Sequence, residues 1–389
     1  MLGLLYFGRL EQEKGIDTII DMIEMYKEKE LPFQLFIFGS GSREKQIIEL
    51  ASKHQNIHFF GRQNLETIKR YVNNCQYALI PSECLETFGL SALNALQRGL
   101  TPIGYAKGGL KDFIDPKFDL THQQGKTTAQ KLHHLIGQLQ ASSFKLQAVN
   151  IANFNKEIIN KKDFNIQHFS KDSRIINFHA LAGKNVEKIL IVSDFINKIG
   201  GIETYINDIK DLLEPHGYKI ELCGAKIPRG PIGKLLKYLG FFASMLNIWE
   251  TIKIKRKIQK RNPDLIRYHS TMRYLGRMPI RASTGSTAKK RMMFHDLGYF
   301  APFPSKLHEE KQIRTPFTLR HFLQTQPTNN PFKTLAIIGK YISLKLIGNQ
   351  LKKRMDTFLV PSVFMTDIVH KSYKINKENI KTFPHFIQD

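Results

Sequence analysis

Apolar and polar positions alternate in two different rhythms through the first third of the chain. Leu4–Phe7, Gln34–Phe38, Ile57–Phe60, Tyr77–Pro81 and Thr101–Tyr105 are short runs rich in β-branched and aromatic residues, and the pattern predicts strands there. Between them, Ile16–Lys29, Arg43–His54, Leu65–Asn74 and Leu90–Arg98 place apolar residues three and four apart, the spacing of one face of a helix. Strands alternating with helices need crossover connections, so the sheet is expected to be parallel with helices on its faces: a Rossmann-like domain.

Residues 120–183 are rich in Gln, Lys, Asn and His with weak periodicity, and read as terminal helices followed by a linker. A second α/β pattern starts at Lys188–Ser193. Gly200 and Gly201 mark a tight turn, and Ile202, Tyr205, Ile206, Ile209, Leu212 and Leu213 form the buried stripe of a helix closed by Gly217. Further strands are predicted at Tyr218–Cys223, Leu265–Tyr268, Arg291–Phe294, Thr357–Val360 and Ile380–Phe383. The expected organisation is α/β with two Rossmann-like domains, residues 1–170 and 188–389, joined by a linker over 171–187.

Charge separates the halves. Residues 1–183 carry 22 basic and 18 acidic side chains, a net of +4; the remaining 36 basic and 16 acidic side chains give residues 184–389 a net of +20. Such a field favours phosphate-bearing partners without choosing among lipid, nucleotide and nucleic acid. Cys75, Cys84 and Cys223 have neither a disulfide pattern nor metal-ligand spacing, so no metal site is expected. With no basic leader before the short apolar opening run, the expected location is cytoplasmic. Gly233–Lys260 runs from an apolar stretch into Lys253, Lys255, Arg256, Lys257 and Lys260. It reads equally as a core helix with a solvated basic end or as an element at the inner face of an anionic membrane.

The candidate chemistry lies at the strand ends. Gly8-Arg9-Leu10 through Lys14-Gly15 follows a strand and opens a helix, which puts Arg9 and Lys14 at the carboxyl edge of the sheet, where such folds bind ligands. Cations and helix N-termini there stabilise phosphate oxygens. Gly39-Ser40-Gly41 and Lys107-Gly108-Gly109 follow two further strands, and Pro81-Ser82-Glu83-Cys84-Leu85-Glu86-Thr87-Phe88-Gly89-Leu90 precedes a helix carrying Asn94. In this order the motifs of residues 4 to 115 resemble the donor-binding domain of the large retaining glycosyltransferase family that includes sucrose synthases and many lipopolysaccharide transferases, family four.

The resemblance implies a two-domain GT-B fold and a nucleoside-diphosphate sugar as co-substrate, with no cofactor and no metal. Arg9, Lys14, Gly39 and the backbone of Phe88, Gly89 and Leu90 would bind the diphosphate, and Glu86 would contact the transferred sugar. Asn94 stands where the family has a second glutamate for ribose, which puts nucleotide affinity in question. In the second half, Gly200-Gly201-Ile202-Glu203 resembles the family's Gly-Gly-x-Glu turn, and His269 and His295 its two strand-end histidines, with His295 expected at the sugar. The donor-type half comes first, the reverse of the family's order, and implies a circular permutant. Two other readings are incomplete or fused halves of two transferases, and a non-catalytic polyanion or RNA binder, which the charge permits without any RNA-binding signature. The expected acceptor is a glycan or a lipid-linked molecule, and no specific nucleic acid partner is expected.

Overall fold

The computed structural model describes residues 1–26, 30–146, 170–183, 186–196, 201–225, 248–269, 271, 275, 278–301, 307, 309, 312–313, 317–325 and 330–385. The chain divides into two units: Met1–Gln167 together with Ser305–Glu310, and His168–Pro304 together with Lys311–Asp389.

In the first unit β1 (Leu2–Phe7), β2 (Phe33–Phe38), β3 (Ile57–Phe59), β4 (Tyr77–Ile80) and β5 (Thr101–Gly104) form one parallel sheet in the order β3-β2-β1-β4-β5. Helices α1 (Ile16–Glu24), α2 (Glu44–Lys53), α3 (Leu65–Val72) and α4 (Leu90–Gln97) make the connections, and α5 (Thr128–Leu146) follows. Leu5, Phe36, Phe38, Ile68, Val72, Cys75, Ala78, Ala95 and Leu100 form one buried cluster under the sheet. Fully burying a side chain such as Phe38 contributes about 1.5–3 kcal/mol. Pro81, expected as the last residue of its strand, lies just beyond β4, since it has no N–H for the ladder and the chain there turns into the loop carrying Glu86.

The second unit has a six-stranded parallel sheet in the order β11-β10-β9-β8-β6-β7. Its strands are β6 (Lys188–Phe195), β7 (Lys219–Ala225), β8 (Leu265–Tyr268), β9 (Lys289–Met293), β10 (Thr357–Val360) and β11 (Ile380–Thr382). The helices are α6 (Lys171–Ala182), α7 (Gly201–Leu213), α8 (Ile248–Arg261), α9 (Leu319–Thr325), α10 (Pro331–Arg354) and α11 (Val363–Tyr373). The stripe predicted on α7 is the packed one: Tyr205, Ile206, Ile209, Leu212 and Leu213 are buried in the core with Ile189, Ile191, Leu265 and Phe383.

Two expectations about organisation need correction. Most of the segment expected as a linker, 171–187, is helix α6, capped by the Ser170 hydroxyl accepting from Ser173 N–H at 3.2 Å. Phe178 and Ala182 of this helix are buried in the second unit's core, and its weak periodicity in sequence reflects how few residues it commits to that contact. The domain boundary is also not a single cut, because Ser305–Glu310 belongs with the first unit. There Leu307 is buried and its carbonyl accepts from Leu85 N–H at 2.7 Å. The three cysteines are unpaired and buried, and burial pushes the Cys84 thiol up to about 11.

Candidate functional site

Two loops, after β1 and after β5, converge on residues 82–89 at the carboxyl edge of the first sheet. Glu83 and Cys84 N–H both donate to the Glu13 carbonyl, at 3.2 and 3.3 Å, which ties this segment to the turn after β1. Gly109 N–H donates to the Glu86 carbonyl at 2.7 Å, and Lys107 Nζ to the Glu83 carbonyl at 2.6 Å. Close approach explains the glycines: a Cβ on Gly109 would stand 2.5 Å from Phe88 N, and one on Gly39 would stand 1.9 Å from the Gly8 carbonyl oxygen.

The convergence brings Lys14 and Glu86 into contact. Lys14 Nζ donates to Glu86 Oε1, which also accepts from the Ser82 hydroxyl at 3.0 Å. Burial opposes the charge on Lys14, but the charge and hydrogen bond of Glu86, with the field of Cys84 added, together outweigh it, so the pKa of Lys14 is raised and the ammonium is retained. Arg9 is not part of this cluster; its exposed guanidinium pairs with Glu13 at 2.9 Å. Gly89 sits at the N-cap of α4 in the left-handed conformation, φ 97°, with Phe88 buried behind it and Leu90 exposed at the first position of the helix. The first-turn N–H groups of a helix have no intrahelical acceptor and carry the positive end of its dipole.

Asn94 is buried one turn further along α4. Its Nδ2 donates to the Leu90 carbonyl at 2.9 Å and its Oδ1 accepts from Arg98 Nη1 at 2.9 Å. The acceptor expected for ribose is therefore engaged by Arg98, a residue that motif spacing does not single out. Ser82, which shares Glu86, and Leu307, from the far half of the sequence, were equally absent from the sequence-level site.

The second unit has its own polar centre. His269 and His295 follow the ends of the adjacent parallel strands β8 and β9, and His269 Nδ1 lies 2.6 Å from His295 Nε2, both rings buried. Asp296 caps the next turn, accepting from Gly298 N–H at 2.8 Å. Below the histidines, the Tyr205 hydroxyl meets Arg174 Nη2 at 2.8 Å and Arg267 Nη2 at 3.1 Å, and both guanidinium groups lie over the Phe383 ring. Burial pushes Arg174 down to about 10. An arginine inside the predicted strand Leu-Ile-Arg-Tyr is the sequence signal for this cluster. Gly201 begins α7, while Gly200 lies outside the described residues, as do residues 233–247 of the amphipathic stretch.

Residues 3–153 match the family model described as Glycosyl transferases group 1. This segment is similar to the group 1 glycosyl transferases. It contains β1 to β5, Lys14, Glu86 and Asn94. The chain is similar to granule-bound starch synthase 2 of Solanum tuberosum, 28% identical over 141 residues, covering 34% of this chain and 18% of that protein. It is also similar to glycogen synthase 2 of Geobacter metallireducens, 32% identical over 118 residues, covering 28% and 22%. The chain thus spans about a fifth of the length of these curated relatives. Among solved structures, Anabaena HepE in complex with UDP-glucose has 17% identity and a TM-score of 0.34, with 46% of this chain and 49% of that one covered. The C-terminal domain of LpcC from Francisella tularensis has 20% identity and a TM-score of 0.33, with 41% and 85% covered.

Proposed function

We propose that the chain is a retaining glycosyltransferase of family four. In this reading it moves a sugar from a nucleoside-diphosphate sugar to a glycan or lipid-linked acceptor, without a metal ion. The observation that carries this is the contact of Lys14, Glu86 and Ser82 at the sheet edge of a group 1 domain. As the bond from the sugar to the diphosphate breaks, negative charge grows on phosphate oxygens. The Lys14 ammonium and the first turn of α4 are set to stabilise it, with Arg9 able to leave Glu13 and join them. Glu86, held by Lys14 and Ser82, is the group nearest this cation and serves the transferred sugar. The acceptor oxygen bonds to the anomeric carbon on the face that the diphosphate leaves, and His295 of the second unit contacts the sugar.

Incubation with UDP-, GDP- and ADP-linked sugars in EDTA tests this. One nucleoside diphosphate should be released at the same rate with and without Mg²⁺, and the glycoside formed should keep the donor's anomeric configuration by NMR. A strict Mg²⁺ requirement would contradict the metal-free mechanism, and an inverted product the retaining one.

The donor-type unit precedes the other in sequence, so the chain is read as a circular permutant. Helix α6 supports this over a chance fusion of fragments. It follows the donor-type unit in sequence yet buries Phe178 and Ala182 beside Ile189 and Ile191 of β6, so the join is an integral part of the second unit's core.

Peripheral attachment to an anionic inner membrane surface belongs to the same reading. No described helix is long and apolar enough to cross a membrane. Helices α8 and α10 both pack against Met278–Ser283. They expose Ile248, Trp249 and Ile252, and Leu335, Ile342 and Leu346, and end in Lys260 and Arg261 and in Lys352, Lys353 and Arg354 respectively. Apolar anchors with cations are the pattern of an interfacial surface. Co-sedimentation with vesicles should show binding when phosphatidylglycerol is present and at least about a tenfold loss in the Trp249→Glu, Leu346→Glu variant; equal binding of both proteins would exclude this surface.

A further inference from the structure

The backbone of residues 83–86 is anchored from outside the loop that carries it. Glu83 and Cys84 N–H donate to the Glu13 carbonyl after β1, and the Glu83 and Glu86 carbonyls accept from Lys107 Nζ and Gly109 N–H after β5. A further anchor has a different origin. Leu85 N–H donates to the Leu307 carbonyl at 2.7 Å, and Leu307 lies in Ser305–Glu310, a segment of the first unit whose flanking chain on both sides belongs to the second. The second half of the sequence thus reaches the residue immediately before Glu86.

Both partners of this contact are buried. Leu85 and Leu307 are 5% and 1% exposed, so the Leu307 side chain is packed in place and fixes the direction of its own carbonyl. A buried N–H that loses its acceptor is costly, so without Leu307 the backbone at Leu85 has to move to find another acceptor or water. The Glu86 carboxylate, which meets Lys14 and the Ser82 hydroxyl, moves with that backbone. The same segment also acts on Lys107: burial lowers the Lys107 pKa, and the fields of Cys84, Glu83 and Glu309 oppose it.

We infer that Leu307 is a positioning residue for Glu86: its carbonyl, held by the buried side chain, clamps Leu85 and so aims the neighbouring carboxylate. The purpose of the clamp rests on the transferase reading, in which Glu86 serves the transferred sugar. The diphosphate side of the site has other supports, since Lys14 lies on the turn after β1 and Gly89 opens α4. Loss of the clamp therefore disturbs the step at the sugar more than the binding of nucleotide. In consequence the donor-type unit is completed by the second half of the sequence.

Amide hydrogen exchange by NMR on the full chain with isotope-labelled leucine, without any nucleotide sugar, reads the clamp, with Leu85→Met and Leu93→Met used for assignment. The Leu85 amide should be protected in the wild type and in Leu307→Met, which conserves volume. In Leu307→Asp, whose charge resists burial, it should exchange at least about tenfold faster. Leu93 N–H, bonded to the Gly89 carbonyl at 3.1 Å at the start of α4, should keep its protection and serves as the internal control. In transfer assays Leu307→Asp should lower kcat about tenfold or more, with KM for the donor and affinity for the nucleoside diphosphate changed by less than about threefold, and Leu307→Met should keep most of kcat.

Rapid exchange of the Leu85 amide in the wild type, or unchanged protection in Leu307→Asp, would overturn the assignment. So would a Leu307→Asp enzyme whose Leu85 amide is released while kcat is unchanged, or one that loses kcat and nucleotide affinity together. If Leu307→Asp does not fold, Leu307→Ala, which loses the packing and adds no charge, takes its place with the same expected signs. If the Leu85 amide behaves as assigned and the wild type turns over no nucleotide sugar, the transferase reading fails and the clamp on the loop stands.

Discussion

Lys14→Met should lower sugar transfer by about 10²–10³-fold, the range measured when one preorganised donor to a developing oxyanion is removed. It should also weaken nucleoside diphosphate binding by about tenfold, which corresponds to about 1.4 kcal/mol. The side chain keeps most of its length and its apolar contacts, so only the charge is lost. That charge is balanced by Glu86, and Ser82 remains to hold the carboxylate when Lys14 is gone. Steady-state kinetics with the preferred donor checks the size of the effect. A Lys14→Met enzyme with unchanged kcat would mean that the leaving group is stabilised elsewhere.

Gly15→Ala should destabilise the first unit by about 3 kcal/mol or more. Gly15 has φ 75° and ψ 22°, a left-handed conformation that costs an L residue about 1–2 kcal/mol. Its Cβ would also stand 2.0 Å from the Pro81 carbonyl oxygen, so backbone must move. The backbone that moves leads into Ser82 and Glu86, so nucleotide affinity should fall together with stability. Gly61 is the control: it also has positive φ, 64°, but a Cβ there meets nothing within 4 Å, and Gly61→Ala should cost only about 1 kcal/mol. Urea unfolding followed by circular dichroism compares the two. Equal losses would show that the close packing of Gly15 on Pro81 carries no weight.

The strands were legible because a parallel sheet buries both faces, and continuous runs such as Leu4–Phe7 and Gln34–Phe38 announce it. Lys14 and Glu86 were legible as residues of adjacent strand-end loops in a recognisable order. Their direct contact was not, because it depends on the Glu13 carbonyl receiving two N–H groups from the other loop. Helix α10 was invisible for a different reason. It buries Ile337, Leu344, Ile347 and Leu351 while exposing Leu335, Ile342 and Leu346, so its apolar residues form no single stripe. The engagement of Asn94 was not legible, because spacing says nothing of Arg98, whose long side chain folds back one turn onto it. The histidine pair was named as two separate residues. Only the register of β8 on β9, with Tyr268 opposite Met292, brings His269 to His295 across 26 positions of sequence.

Titration calorimetry of the full chain with UDP, GDP and ADP in EDTA, with Lys14→Met alongside, tests the donor site most directly. The account predicts that one of the three nucleotides binds in the micromolar range without metal and that Lys14→Met loses about tenfold in affinity. Binding of none of them to the folded protein, or equal binding to both proteins, would contradict it.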